Sequence, residues 1–178
     1  MLKLVIPERE LYEENKNEFI IVKGATIQVE HSLVSISKWE SKWNKPFISR
    51  TEKTVEENID YIRCMTLTQN VNEEVYNNLT NENMNQISKY IAAPMTATVF
   101  CDEDDKSNEI ITSELIYYWM IQYNIPYEYQ KWHLNRLIVL INVCARKSQK
   151  PKKMSRNEII NRNRELNAKR RQELNTEG

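Results

Sequence analysis

Glycine occurs at only two positions, Gly24 and Gly178, and this scarcity constrains the fold more than any other feature of the chain. A backbone that must press against a phosphate, or turn with positive φ, relies on residues without a Cβ. The dinucleotide fingerprint and the Walker loop each need several glycines at fixed offsets, so neither is present. Sandwiches and barrels need many tight turns, which this sequence does not supply. What remains is a mainly α fold, and a hydrophobic content of 40% is enough to give it a core.

The pattern along the chain predicts a compact helical domain with a small N-terminal β-hairpin and a basic C-terminal helical tail. Three segments follow: residues 1–31, β-like; residues 32–147, the helical body; and residues 148–178, the tail. Residues 2–6 look extended. Phe19-Ile20-Ile21-Val22 and Thr26-Ile27-Gln28-Val29 flank Lys23-Gly24-Ala25, which reads as the turn of a short hairpin. From Ser32 the period becomes helical, with Leu33, Ile36, Trp39 and Trp43 on one face and Pro46 as a stop. Thr54-Val55-Glu56-Glu57 is a capping box, followed by Val55, Ile59, Ile62 and Met65 on one face. Short helices are expected around Glu73–Leu79 and Glu82–Ile91, then an extended Met95–Phe100 and a polar loop Asp102–Asn108. Thr112 or Ser113 caps a helix through Tyr123. Asn124-Ile125-Pro126 breaks it, and a second helix, about Tyr127–Arg146, should return antiparallel to it and form the core.

The residues that carry chemistry are sparse. Cys64, Cys101 and Cys144 are odd in number and widely spaced, unlike a secreted disulfide scaffold, and are expected to be buried free thiols. His31 and His133 have no metal-ligand spacing with each other or with a cysteine. The acidic run Asp102–Asp105 lacks the central glycine and terminal glutamate of a calcium loop and reads as a solvated loop. We therefore expect no enzyme, and no catalytic, cofactor-binding or metal-ligating residue is identified. Even the aliphatic run Leu137–Ile141 is far short of the roughly 18 residues that span a bilayer. The apolar stretch in Met1–Glu8 is too brief for a secretory signal, so no membrane contact and an intracellular location are expected.

Charge is balanced overall, 25 basic against 25 acidic residues, but not evenly placed. Residues 146–178 carry eleven Lys and Arg against four Asp and Glu, a balance of +7, leaving −7 for residues 1–145. Such a tail is a solvated terminus, a protein-docking arm or a nucleic-acid arm. The last is disfavoured by the absence of aromatics after Trp132 that stack on bases and by Glu158, Glu165, Glu173 and Glu177 among the cations. Two aromatic clusters, one holding Trp39 and Trp43, the other Tyr117–Trp119 with Tyr127–Trp132, are either core or an exposed partner groove.

Several strings resemble a family of small proteins from the tail-gene region of tailed bacteriophages. They are Ser32-Leu33-Val34-Ser35-Ile36-Ser37-Lys38-Trp39-Glu40-Ser41-Lys42-Trp43, Asp60-Tyr61-Ile62-Arg63-Cys64-Met65-Thr66 and Pro94-Met95-Thr96-Ala97-Thr98. Gln130-Lys131-Trp132-His133-Leu134-Asn135-Arg136-Leu137 and Leu166-Asn167-Ala168-Lys169-Arg170-Arg171 complete the set, so the likeness covers nearly the whole chain. It implies a tail assembly chaperone: a small helical factor of the host cytoplasm that binds the tape measure protein and helps tail-tube protein polymerise around it. No catalytic or ligand-binding residue comes with the resemblance. Helix-in-groove contact suits such a role, with Trp39, Trp43 and Trp132 in the body and Ile159, Ile160, Leu166, Arg170 and Arg171 in the tail as candidate protein-binding residues. A partner is thus the tape measure protein, the tail-tube protein or a second copy of the chain. The alternatives are a structural virion component, such as a connector or tail-associated protein, and a nucleic-acid-binding regulator using the basic tail.

Overall fold

The computed structural model describes residues 1–13, 17–49, 52–98, 110–148 and 156–174. The chain is mainly α and divides into two compact units, Met1–Ala145 and Arg146–Gly178. The first begins with β1 (Leu2–Ile6), β2 (Arg9–Glu13), β3 (Glu18–Val22) and β4 (Ala25–Val29). It continues with α1 (Leu33–Trp43), α2 (Val55–Met65), a 3-10 turn (Glu73–Asn78), α3 (Asn81–Ala92), α4 (Ser113–Gln122), a second 3-10 turn (Tyr127–Lys131) and, as far as Ala145, α5 (Leu134–Ser148).

The expected hairpin between Phe19–Val22 and Thr26–Val29 does not form. Instead β1 pairs antiparallel with β4, Leu2 opposite Val29 and Ile6 opposite Ala25, while β2 pairs with β3, Arg9 opposite Val22 and Glu13 opposite Glu18. Both pairs keep the same offset, so they are two stretches of one antiparallel ribbon, interrupted where Pro7-Glu8 faces Lys23-Gly24. Gly24 marks that break, not a turn. A Cβ there would lie 2.7 Å from the Ile6 carbonyl oxygen and 2.8 Å from the Glu8 nitrogen, a close approach that only glycine permits. Pro7 has no N–H to contribute to a ladder, and the break spares it one.

Interrupting a ladder frees carbonyls, and buried carbonyls need donors. Asn78, fully buried at the end of the first 3-10 turn, supplies them: its Nδ2 donates to Val22 O at 3.1 Å and to Pro7 O at 3.4 Å. Asn83 Nδ2 donates to Val5 O at 3.0 Å. Replacing Asn78 by leucine keeps the bulk but removes both donors. We expect a loss of about 1–3 kcal/mol in urea denaturation; an unchanged midpoint would refute this account of the break.

Period-2 alternation puts Leu4, Ile6, Ile27 and Val29 on the buried face of β1–β4, where they join Leu33 and Ile36 of α1 in one core. Ser32 caps α1 in a capping box with Ser35, and Asn44, with φ of 52°, ends it before Pro46. The Thr54–Glu57 box opens α2 as its sequence predicts. Val55 stands exposed, however, and the buried face of α2 is carried by Tyr61, Ile62 and Met65.

The core centres on α1, against which α2, α4 and the second 3-10 turn pack, with α3 lying on β1. This corrects the expectation that an α4–α5 hairpin forms the core; those helices add Ile116, Met120, Leu134, Leu137 and Ile141 to it. The long helix expected over Tyr127–Arg146 is also divided. Its first turn is 3-10, Trp132 adopts an extended conformation, and α5 starts at Leu134. Of the expected extended segment, residues 95–98 form no strand and Met95 has φ of 52°. Residues 99–100 and the acidic loop lie outside the described residues.

The second unit contains α6 (Arg156–Leu174). Ile159, Ile160, Leu166, Arg170 and Arg171 are all exposed on it. A helix with so little apolar surface gains little from packing on itself.

Candidate functional site

The structure separates the three candidate tryptophans. Trp39 is 1% exposed; its indole N–H donates to Glu57 O at 2.9 Å, and its ring meets Phe47 edge-on at 5.2 Å. It welds α1 to α2 and presents nothing to a partner, which removes it from the protein-binding set. Trp43 stacks beside it, with centroids 6.1 Å apart, half-buried and donating to Asp60 Oδ2 at 2.8 Å. Burial pushes the Asp60 carboxyl up, but donors from Lys42 and Trp43 outweigh it and hold the group below its ordinary range.

Trp132 is set apart from that pair. The chain breaks its helix there because tertiary pairing takes over: Ser32 and His133 form a β-bridge, and the Leu134 N–H donates to His31 O at 2.7 Å. Trp132 lies over Tyr129, centroids 3.9 Å apart and nearly parallel, while the Arg136 guanidinium lies 3.9 Å from the same centroid. Two groups that close to one ring must cover opposite faces, so only the edge of the indole is free.

That edge borders an open groove of about 650 Å³, within the range of built binding sites. Val34, Leu67 and Met95 give it apolar walls, and Lys38, Lys131 and Arg136 rim it. All three cations are exposed, and none forms an ion pair with a carboxylate among the described residues. Glu30, also in the lining, is occupied: it accepts from the Tyr90 hydroxyl at 2.7 Å and lies 2.8 Å from the Met1 amine.

Beneath the groove the two histidines, 102 positions apart, come together with ring centroids 5.1 Å apart. Both are buried. His31 Nδ1 accepts from the Tyr61 hydroxyl at 2.5 Å, on the assignment that the ring is neutral. Burial, with His133 beside it, lowers the His31 pKa to about 4. Burial also lowers that of His133, against the opposing pull of the Tyr90 carbonyl. His133 Nε2 donates to Tyr90 O at 3.0 Å, and Nδ1 accepts from the Asn135 N–H at 3.3 Å. Both of its nitrogens are spent on backbone, so the cluster ties the end of β4, α3 and the start of α5 together. Cys64, on α2 at the groove, is half-buried, not fully buried as its composition suggests, and burial raises its pKa. Cys144 is likewise half-buried and free; Cys101 lies outside the described residues.

Sequence reading placed Trp132 here but missed Lys38, Lys131 and Arg136, which reach the rim from two separate stretches of chain. The one local signal was the run Lys131-Trp132-His133. Among the described residues no cluster of three or more His, Cys, Asp or Glu is placed to hold a metal ion. No helix among them is long and apolar enough to cross a membrane. No family model matches the chain, and no curated protein or solved structure matches it either.

Proposed function

We propose that the chain is a tail assembly chaperone of a tailed bacteriophage, a non-enzymatic protein that binds the tape measure protein in the host cytoplasm and assists tail-tube assembly. The observation that carries the reading is α6: a 19-residue helix whose Ile159, Ile160, Leu166 and Leu174 are exposed among the cations Arg170 and Arg171. A helix of that kind is stabilised by laying its apolar residues on a partner helix, with charge guiding the encounter. The tape measure protein, long and helical, is the partner that the family resemblance implies. The basic tail is then a docking arm, and Trp132 offers a second contact on the body.

A structural virion component is the second reading. It is favoured by Tyr12, Phe19 and Ile21, which stand exposed on β2–β3 with the Tyr12 and Phe19 rings 5.1 Å apart, as a permanent interface would use them.

Mass spectrometry of purified particles, beside a pull-down from infected-cell lysate, separates the two. The chaperone reading expects recovery with tape measure protein and absence from particles. A chain ending at residue 148 should capture the tape measure protein more weakly by about tenfold or more, equivalent to at least one good contact. Stoichiometric presence in particles overturns the chaperone reading in favour of the structural one.

A further inference from the structure

We infer that the groove beside Trp132 receives an acidic amphipathic helix of a partner protein, its apolar residues entering between Val34, Leu67 and Met95 and its carboxylates meeting Lys38, Lys131 and Arg136. The inference rests on the protein-binding reading above and names the chemistry of the bound segment.

Charge is the first argument. Residues 1–145 carry a balance of −7, yet this rim gathers three exposed cations without a carboxylate partner among the described residues. The one carboxylate in the lining is already held by Tyr90. A local reversal of sign around an apolar depression selects an anionic, partly apolar ligand and repels a cationic one. The chain's own tail, with its balance of +7, has the wrong sign to fill it.

Geometry narrows the ligand further. An aromatic platform with cations would suit a nucleic-acid base, but Tyr129 and Arg136 cover both faces of Trp132, so no base can stack there. An extended peptide would need a free strand edge. The outer edge of β4 is taken: Gln28 O accepts from the Leu67 N–H at 2.8 Å, the Glu30 N–H donates to Met65 O at 2.9 Å, and the Gln28 N–H donates to Thr68 Oγ1 at 2.9 Å. What is left to recognise is side chains, which is how a helix is read. Arg136, held over Trp132, is already ordered for a carboxylate and loses little freedom on binding.

The test uses the full chain and a fluorescein-labelled helical peptide of roughly 15 residues, Leu at i, i+3, i+4 and i+7 and Glu elsewhere, with a Lys-for-Glu counterpart. Fluorescence anisotropy should show the Glu peptide binding tighter by about tenfold or more and weakening as salt screens the rim. The combined variant Lys38→Glu, Lys131→Glu, Arg136→Glu should lose that preference. Because the salt series and the peptide pair use the unaltered chain, a variant that fails to fold does not shelter the idea.

Equal binding of the two peptides, or an undiminished affinity in a folded variant, overturns it. So does binding that emerges only when Asp102, Glu103, Asp104 and Asp105 are neutralised, which would give the groove to the chain's own acidic run. A dimer that the rim variant dissociates would give it to a second copy instead. The two readings fail separately. A chain that binds the Glu peptide through the rim yet captures no tape measure protein sinks the chaperone reading alone; one that captures tape measure protein but ignores the peptide sinks the groove alone.

Discussion

Trp39→Ala is expected to destabilise the folded chain by about 3–5 kcal/mol, the range for emptying a buried large aromatic site. The indole is 1% exposed and among the largest fully buried side chains. It fills the seam between α1 and α2, so its loss leaves a cavity that neither helix can close without moving. The deletion also removes the N–H that the ring donates to the Glu57 carbonyl at 2.9 Å, a tie between the helices made in addition to that oxygen's own bond within α2. Trp39→Phe should recover most of the packing but not that donor, and fall between wild type and alanine. Trp43→Ala should cost less, because that ring is half-buried at the margin of the same seam. Urea denaturation followed by far-ultraviolet circular dichroism measures all three. A Trp39→Ala loss no larger than that of Trp43→Ala would mean that the seam is not what holds the two helices together.

Mild acid is the second large perturbation. His31 has a folded pKa of about 4 against roughly 6.5 in an unfolded chain. The unfolded state therefore takes up a proton more readily. The stabilising effect of the neutral, buried ring is fully present above about pH 6.5 and is lost progressively as pH falls toward 4. The difference corresponds to about 3 kcal/mol. His133, shifted the same way by burial, adds to it with the same sign. Asp60, held below its ordinary carboxylate range, loses its contribution only at lower pH, so the interval between about 6.5 and 4.5 reports the histidines. Stability measured across that interval should fall in the wild type and flatten in His31→Gln, which keeps a polar side chain facing the Tyr61 hydroxyl without the titration. A slope that survives unchanged in His31→Gln would assign the acid response elsewhere.

Much of the helical part was legible because its signals are local. Ser32 before the Leu33, Ile36 and Trp39 stripe, and Thr54 three residues before Glu57, are complete instructions within a few residues, and each helix begins where they say. The ribbon was misread because its partners are chosen by register, not by proximity. Lys23-Gly24-Ala25 has the composition of a turn, and only the crossing at Pro7 shows why glycine is needed there. The break at Trp132–His133 contains no proline or glycine and is imposed from outside by Ser32 and His31. For the same reason the site was half visible. Trp132 stood out by type, but the rim around it gathers Lys38 from α1 and Lys131 and Arg136 from nearly a hundred residues later. Trp39 looks identical to Trp132 in sequence, and only burial separates a core tryptophan from one at a surface.

The bridge between Ser32 and His133 also sets how late in synthesis the first unit can close. The ribbon and α1 leave the ribosome first, but the segment that pairs with the end of β4 and covers the adjoining core is among the last of the first unit to emerge. Until α4 and the second 3-10 turn arrive, a nascent chain carries the Leu33 and Ile36 stripe without its full cover, and the bridge to His133 must join residues about a hundred positions apart, which slows folding. A message cut short before residue 134 would yield a sticky chain instead of a smaller working one. Synthesis must therefore pass His133 before the first unit can close.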